Sequence, residues 1–372
     1  MSGLSPAVMP EDIRHQSPKG RGASKDPANR FEQIHLAELD EDSDEPRPDP
    51  RTRYLHDWSR SIISFNDSPD VGFSAGINPY RGCEHGCIYC YARPSHEYLG
   101  FSSGLDFETQ ILVKEDASKL LRQTLSNPRW QPQVLALSGN TDCYQPVEKK
   151  LQITRRCLEV LAEFGNPVAI ITKNRLITRD IDLLQKLAAI QAVNVYISVT
   201  SLDTGLCSRM EPRTSRPPQR LEAIRQLKEN GIPVGVLVAP VIPGLNDHEI
   251  PSILQAAAEA GAMYAGYVML RLPYGVKDLF VQWLKEHEPL KAEKILNRIR
   301  SVRSGKLNEA SFGKRMSGAG IFADSVKSLF TVARRRYGLN SLAPELSVHH
   351  FHRAPSDQME LFENRRETQE LS

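Results

Sequence analysis

The chain has 372 residues, of which 40% are hydrophobic and 25% charged, and its formal net charge is +2. This composition is typical of a globular protein with one large domain or two small ones. It excludes helical membrane spans, because no apolar run approaches the roughly 20 residues that such a helix needs. Residues 1–15 also lack the apolar core of a signal peptide, so we expect a cytoplasmic protein.

The first 55 residues combine acidic, proline-rich and arginine-rich stretches without apolar periodicity. An acidic run extends from Glu38 to Glu45, and a small basic patch lies at Lys19-Gly-Arg-Gly22. Segments of this composition do not bury enough apolar surface to fold on their own. We therefore predict that residues 1–55 form a disordered tail.

Three cysteines in one short window carry the strongest chemical signal in the chain. Cys83, Cys87 and Cys90 have the spacing C-x3-C-x2-C, and Tyr89 directly precedes the last of them. Thiolates are the usual protein ligands of iron–sulfur clusters, and a loop this tight can direct three of them at one inorganic centre. A cluster of four irons held by three cysteines keeps one iron open for another ligand. The spacing therefore favours a [4Fe-4S] cluster.

A zinc knuckle is the alternative for the same loop, with His85 or His96 as the fourth ligand. Structural zinc sites normally show a second pair of ligands further along the chain, and this sequence has no such pair. We interpret His85 as a solvated loop residue. The cysteines outside the loop are scattered and are expected to be reduced thiols: Cys143, Cys157 and Cys207.

Short β-branched apolar runs alternate with amphipathic helical stretches through the middle of the chain. The predicted strands are 134–137, 168–171, 193–199, 234–238 and 264–270, with a weaker one near 71–77. The predicted helices lie around 148–164, 179–190, 216–230 and 247–260. Repetition of strand and helix gives a parallel sheet with right-handed crossovers. Six such units predict an α/β fold, a (β/α)6 partial TIM barrel within residues 56–290.

The carboxyl ends of the strands in such barrels carry the functional site. Each predicted strand from 134 onward is followed by a polar loop; the loops are Ser138-Gly-Asn-Thr-Asp142, Thr172-Lys-Asn174, Ser198-Val-Thr-Ser201, Pro240 to Asp247 and Arg271-Leu-Pro273. Lys173 supplies a cation for a ligand carboxylate. The hydroxyls of Ser198, Thr200 and Ser201 suit a ribose. Together with the cysteine loop, these residues predict a cofactor site at one edge of the barrel.

The stretch Asn78-Pro-Tyr-Arg-Gly-Cys-Glu-His-Gly-Cys-Ile-Tyr-Cys-Tyr-Ala-Arg93 resembles radical S-adenosylmethionine (SAM) proteins of the group similar to spore photoproduct lyase, often described as DNA repair photolyase-like. The resemblance extends from Lys19 to about Leu272. It implies a lyase-like radical SAM enzyme that binds a [4Fe-4S] cluster, cleaves SAM to a 5′-deoxyadenosyl radical and abstracts hydrogen, with nucleic acid as the expected substrate. An electron donor such as flavodoxin or ferredoxin is the expected partner.

Two other functions remain open from the residues alone. The same radical chemistry can act on a peptide or a small metabolite. A non-catalytic iron–sulfur or zinc module is the third possibility.

The resemblance assigns roles to the loop after the strand at 134–137. Ser138, Gly139 and Asn140 take the place of the family's Gly-Gly-Glu motif, which holds the amine of SAM. The acidic residue is absent at its expected position, and Thr141 or Asp142 is expected to substitute for it.

Further assignments follow from the same resemblance. Ile242 matches the residue that contacts adenine, and Lys173 falls where relatives place a group on the SAM carboxylate. Tyr89 packs near the adenine or belongs to the core. Cys143 is a candidate hydrogen donor to a product radical, the role of a cysteine in spore photoproduct lyase, or simply a buried small residue.

Two groups of residues near the predicted site are candidates for substrate contact. Tyr91 and Arg93 directly follow the cysteines and are expected to line the pocket. The arginines after the strand at 193–199 suit substrate phosphates, because guanidinium groups match phosphate geometry: Arg213, Arg216 and Arg220.

Residues 291–345 predict a basic helical extension. Basic residues far outnumber acidic ones between Lys291 and Tyr337. Either a solvated helix face or a surface for a polyanion such as nucleic acid explains this excess.

Residues 346–372 predict a flexible tail with one distinctive pentapeptide. Gln358-Met-Glu-Leu-Phe362 resembles the bacterial sliding-clamp-binding motif. Such peptides extend into a preformed groove and fill it with their apolar pair. The hypothesis is that this tail binds the sliding clamp; the alternative is that Leu361 and Phe362 fold back onto the protein.

Replacing Cys83, Cys87 or Cys90 by alanine should remove the iron, because three protein ligands are the minimum for the predicted cluster. Replacing Cys157 or Cys207 should leave the iron content unchanged. The measurement is iron per chain after anaerobic reconstitution. Equal iron in the wild type and in Cys87→Ala would contradict the ligand assignment.

Overall fold

The computed structural model describes residues 18–27, 29–31 and 51–353. Its strands are β1 (Arg53–His56), β2 (Ile63–Phe65), β3 (Ala75–Ile77), β4 (Tyr80–Arg81), β5 (Gln110–Val113), β6 (Leu135–Leu137), β7 (Val168–Thr172), β8 (Val193–Ser198), β9 (Val234–Val241) and β10 (Tyr264–Met269). The pentapeptide Gln358–Phe362 lies outside the described residues, so its binding to a sliding clamp stays a prediction.

The helices alternate with these strands along most of the chain. They are α1 (Asp106–Thr109), α2 (Ala117–Ser126), α3 (Glu148–Leu151), α4 (Ile153–Phe164), α5 (Ile181–Ala189), α6 (Thr204–Met210), α7 (Pro217–Glu229), α8 (Ile250–Glu259), α9 (Val276–His287), α10 (Ala292–Ser301) and α11 (Ile321–Arg336). Three short 3-10 helices lie at Arg93–Leu99, Arg175–Asp180 and Asp247–Glu249. None of the helices described is both long and apolar enough to pass through a bilayer.

The main sheet has the order β10-β9-β8-β7-β6-β3-β2. Its six strands from β3 to β10 pair in parallel, and β2 adds an antiparallel edge next to β3. The order rises steadily along the chain, as expected when each crossover moves one strand further in the same direction. The predicted (β/α)6 partial barrel is therefore confirmed, with β2 and β10 as its two open edges.

A second, smaller sheet was not predicted from the sequence. It has the order β1-β5-β4, with β1 and β5 parallel and β4 and β5 antiparallel. Its strands have two to four residues, too few for an apolar period to be detected. This sheet matters for function because β4 leads directly into Cys83.

The hydrophobic core of the described residues has one large cluster between the main sheet and its helices, a second cluster beside the cysteines, and a small third cluster of Cys83, Ala92 and Phe107. The second cluster joins the cysteine loop to α9 and α10 and contains Ile88, Tyr89, Ile242 and Trp283. The predicted helical extension is present as α10 and α11, with the irregular segment 302–320 between them. The extension therefore packs partly against the cysteine loop itself.

The prediction of disorder is wrong for part of the N-terminal tail. Residues 18–27 have a defined path, and Ala23 has no exposed surface. The segment lacks apolar periodicity because backbone groups, and not apolar side chains, attach it to the rest of the protein.

Gly235→Ala should lower the free energy of unfolding by about 1–3 kcal/mol, the usual cost of overpacking a core. A Cβ atom at Gly235 would lie 2.1 Å from the ring of Tyr264. This tyrosine is tied across the sheet by its hydroxyl, which donates to the carbonyl of Val195 at 3.0 Å. Urea unfolding measures the effect. Gly72→Ala is the matched control, because nothing lies within 4 Å of its added Cβ atom, and equal midpoints for the two variants would contradict the prediction.

Candidate active site

The cysteine loop follows β3 and β4 at the carboxyl edge of the parallel sheet. Its backbone is held from two sides: Cys83 N–H donates to the carbonyl of Phe107 on α1 at 2.8 Å, and Ile88 N–H to the carbonyl of Met210 on α6 at 3.0 Å. Within the loop, Cys90 N–H donates to the carbonyl of Cys87 at 3.1 Å. The loop therefore has a fixed path between α1 and α6.

A buried ion pair lies directly behind the loop. Arg93 and Glu108 have no exposed side-chain surface and form the pair through Arg93 Nη2 and Glu108 Oε1 at 2.5 Å. Arg93 also donates to the carbonyl of Cys87 at 3.0 Å and to those of Ser103 and Gly104 at 3.2 and 2.8 Å. The guanidinium thus holds the loop at its second cysteine. The expectation that Arg93 lines the pocket is therefore wrong.

The same carboxylate anchors the N-terminal segment, defined here as residues 18–27. Its two oxygens accept hydrogen bonds from the backbone N–H groups of Gly22 and Ala23 at 3.0 and 2.8 Å. A side chain at Gly22 is impossible without movement, since its Cβ atom would lie 1.7 Å from the carbonyl oxygen of Gly86. The segment thus packs backbone to backbone on the cysteine loop.

The three thiols lie close enough to influence one another. Burial raises the pKa of Cys83 well above its usual range, and Asp142, Cys87 and Cys90 raise it further. Burial and Glu211 raise the pKa of Cys87, whereas Lys173 opposes that rise.

The donor set fits an iron–sulfur cluster in its chemistry. Three thiols on one loop, close to a lysine and shielded from water, are the ligands that such clusters take. Among the residues that the structure describes, no three His, Cys, Asp or Glu side chains already stand in a metal-binding arrangement. To hold a cluster, the three thiols would have to lose their protons, because thiolates are the ligands.

Tyr89 and Lys173 lie on the inner side of the loop. The Tyr89 hydroxyl donates to the carboxylate of Glu211 and lies 3.2 Å from the hydroxyl of Thr200. Lys173 Nζ is 6.0 Å from the centre of the Tyr89 ring. Glu211 in turn forms a fully buried ion pair with Arg220. This arrangement places one lysine ammonium beside the cysteines and a carboxylate behind the tyrosine.

The loop after β6 lies against the cysteine loop, as predicted, but most of its polar groups bind protein. Ser138 has a left-handed backbone (φ 79°) and accepts from Cys143 N–H at 2.7 Å. Gly139 accepts from the Tyr91 hydroxyl at 2.9 Å, and the Thr141 hydroxyl donates to the carbonyl of Tyr80 at 2.7 Å.

Asn140 and Asp142 complete the interactions of this loop. Asn140 N–H donates to the side chain of Asn78 at 2.9 Å. Asp142 accepts from the Thr172 hydroxyl at 2.7 Å and from Lys173 N–H at 2.9 Å. The carboxylate thus positions the end of β7 and Lys173; its expected role toward the SAM amine stays a prediction.

The residues expected to hold ribose and adenine are all buried. The hydroxyls of Ser198 and Thr200 donate to the carbonyl of Ala239 at 3.1 and 3.0 Å, and Ser201 donates to Glu249 at 2.7 Å. Ile242 has no exposed surface. These hydroxyls join the ends of β8 and β9, so their contact with SAM stays a prediction.

Cys143 lies in the main core without exposed surface. Burial raises the pKa of its thiol well above the usual range. Its position agrees with a buried small residue, and its role as a hydrogen donor stays a prediction.

Two expectations from the sequence are wrong. His85 is not solvated: only 1% of its surface is exposed, Nδ1 lies 3.5 Å from Asp142, and burial lowers its pKa to about 4. Arg220 is not available for phosphate, because it is fully buried and donates to the carbonyls of Ser215 and Ser198 at 2.7 and 3.0 Å. Both lie where the chain folds over the cysteine loop.

Glu108 and Glu211 are the important residues that sequence reasoning missed. Each is a carboxylate fully enclosed by partners that are distant in sequence or in a neighbouring loop. No local pattern in the sequence marks them.

Residues 77–257 match the family model of the Radical SAM superfamily. An uncharacterized protein of Mycobacterium tuberculosis is 37% identical over 219 residues, which are 58% of this chain and 64% of that protein. The Radical SAM Nalpha-GlyT isomerase of Pseudomonas phage M6 is 28% identical over 185 residues, 48% of this chain and 35% of that enzyme. The matches thus span less than two thirds of these curated relatives.

Among solved structures, spore photoproduct lyase is similar in fold. A variant of that enzyme aligns with a TM-score of 0.58 and 15% identity over 79% of this chain and 82% of that one. The same lyase complexed with dinucleoside spore photoproduct aligns with a TM-score of 0.56 and 16% identity, over 76% and 79% of the two chains.

Glu108→Gln should lower the free energy of unfolding by about 3–5 kcal/mol, because it leaves the Arg93 guanidinium buried without its counter-charge. It should also lower iron uptake, since the pair holds the cysteine loop. Urea unfolding and iron per chain measure the two effects. Glu163→Gln is the matched control: its pair with Arg122 is exposed and contributes at most about 1 kcal/mol. Equal losses in the two variants would refute the role of the buried pair.

Proposed function

Since residues 77–257 form a radical SAM domain, we propose that this protein is a radical SAM enzyme that acts on a nucleic acid. The observation that carries the proposal is the cysteine loop: three thiols, of which Cys83 and Cys87 are buried and Cys90 is half-buried, lie at the carboxyl edge of a parallel (β/α)6 sheet and are held by the Arg93–Glu108 pair. Cys83, Cys87 and Cys90 would hold a [4Fe-4S] cluster. When bound, the cluster supplies the electron that splits SAM into methionine and a 5′-deoxyadenosyl radical.

The protein's own part in this reaction is to bind, orient and exclude water. Lys173 would neutralise the SAM carboxylate, because its positive charge lies close enough to Cys87 and Cys90 to oppose the rise in pKa of both thiols. Asp142 holds the backbone of Lys173 at 2.9 Å and so sets its direction. The buried side chains of Tyr89, Thr200 and Glu211 are linked by hydrogen bonds and exclude water from this side of the loop.

Nucleic acid is the substrate class that two observations support. Spore photoproduct lyase, whose fold is similar, has been solved with a dinucleoside spore photoproduct. The basic extension packs beside the cysteine loop through α10. An electron donor such as flavodoxin or ferredoxin belongs to the proposal, since the chemistry consumes one electron per cleavage.

Anaerobic reconstitution tests the radical chemistry directly. We expect roughly four irons per chain and 5′-deoxyadenosine after reduction in the presence of SAM. Zinc in place of iron, or an iron-loaded and reduced protein that forms no 5′-deoxyadenosine, would overturn the proposal. The Cys87→Ala variant should yield neither iron nor 5′-deoxyadenosine.

Lys173→Ala should weaken SAM binding by about 1–3 kcal/mol, the contribution of a hydrogen bond to a charged group. Iron content should stay at the wild-type level, because the lysine is not a ligand. Lys186→Ala, which removes an exposed lysine on α5, is the control and should bind SAM normally. A calorimetric titration with the same affinity for SAM in both variants would show that Lys173 points elsewhere.

A further inference from the structure

Arg271 lies at the rim of the cysteine loop. It follows β10 at the carboxyl edge of the sheet, and its guanidinium carbon is 5.3 Å from the centre of the Tyr91 ring. Tyr91 directly follows Cys90, is 46% exposed and donates its hydroxyl to the Gly139 carbonyl. Arg271 therefore lies beside a half-exposed ring that directly follows the last cysteine.

This arginine lacks a carboxylate partner in the part of the chain that the structure describes. Its hydrogen bond goes to Met316 Sδ at 3.7 Å. Burial and the nearby Arg315 both lower its pKa. The neighbouring carboxylate, Asp70, is already bound to Arg315 Nε at 2.6 Å and to Gly313 N–H at 2.7 Å. A half-buried cation in this position is favourable only when an anion compensates it.

A second guanidinium stands beside the first, again with an aromatic ring. Arg315 lies 4.5 Å from the centre of the Phe312 ring, and Phe312 is 58% exposed. Guanidinium groups bind phosphate through two parallel hydrogen bonds. Arg315 already donates its Nε to Asp70 and its Nη2 to Ser68, so it contributes positive charge, and Arg271 supplies the hydrogen bonds. Exposed aromatic rings stack on bases. Two such pairs next to each other have the chemistry of a nucleotide site.

The frame beneath the two arginines is rigid. Arg303 is buried and donates to the carbonyls of Leu270 and Lys314, the latter at 2.9 Å. It therefore joins the end of β10 to the segment that carries Phe312 and Arg315. The two guanidinium groups keep their spacing relative to the cysteine loop without a bound ligand.

We propose that Arg271 and Arg315, with the rings of Tyr91 and Phe312, form a phosphate-binding subsite for the nucleotide substrate at the rim of the cysteine loop. The subsite rests on the proposed function and deepens it. A phosphate held here would bring an adjacent sugar or base to the open side of the cysteines.

Binding of a short fluorescein-labelled oligothymidylate to the reconstituted full-length protein tests the subsite. Fluorescence anisotropy at rising NaCl concentration gives the affinity and its salt dependence. Arg271→Gln should weaken binding about tenfold and lower the salt slope by about one. Arg271→Lys should keep the wild-type slope but bind more weakly, because it retains the charge and loses the planar fork.

Control experiments distinguish the effect of the charge at Arg271 from the effect of positive charge elsewhere on the protein surface. Arg225→Gln, which removes an exposed arginine on the outer helix α7, should leave affinity and 5′-deoxyadenosine formation unchanged. A neutral methylphosphonate analogue should bind the wild type and Arg271→Gln with the same affinity, because it offers no phosphate charge for Arg271 to recognise. Oligouridylate and thymidine monophosphate, used as competitors, show whether DNA, RNA or a free nucleotide supplies the phosphate.

The outcomes distinguish this proposal from the one it rests on. Equal affinity and equal salt slope in the wild type and Arg271→Gln overturn the subsite but leave a nucleic-acid substrate possible. Absence of any oligothymidylate, oligouridylate or nucleotide binding by the wild type overturns the subsite and that substrate class together. Failure of the radical chemistry shows itself separately, as absence of 5′-deoxyadenosine from the reduced wild type.

Discussion

The architecture around the cysteines depends on one buried ion pair. Removing Arg93 and Glu108 from water costs several kcal/mol for each charge, and the pair is stable only because its remaining donors and acceptors are satisfied. The guanidinium of Arg93 donates hydrogen bonds to the backbone carbonyls of Cys87 and Gly104. The carboxylate of Glu108 accepts hydrogen bonds from the N–H groups of Gly22 and Ala23. A single interaction thus fixes the positions of the cysteine loop, of α1 directly before β5, and of the N-terminal segment.

The barrel could be predicted from the sequence because its signals are local. The strands β7, β8 and β9 are largely buried, so each is rich in β-branched apolar residues. Gly165, Gly231 and Gly261 have left-handed backbones near the ends of their helices, which is why glycine marks these boundaries in the sequence. The cysteine spacing and the polar loops after the strands were equally visible and lie at the predicted edge.

The internal order of the site could not be predicted, because it depends on partners far apart in sequence. Asp142 and Ser201 look alike as polar loop residues, yet the first turns to the end of β7 and the second to Glu249. His85 looked solvated because the residues that cover it come from other loops. Periodicity reports which side of an element is buried, but it carries no information about which polar groups meet.

The close approach of Gly22 to Gly86 couples two parts of the chain that are otherwise separate. Since one backbone fills the space where the other would carry a side chain, the cysteine loop and the N-terminal segment restrict each other's conformation. By thermodynamic reciprocity, a ligand that binds the loop in this conformation tightens the docking of the segment by the same factor. The rate of proteolysis near Arg21 then reports the fraction of protein molecules in which a ligand is bound to the cysteine loop.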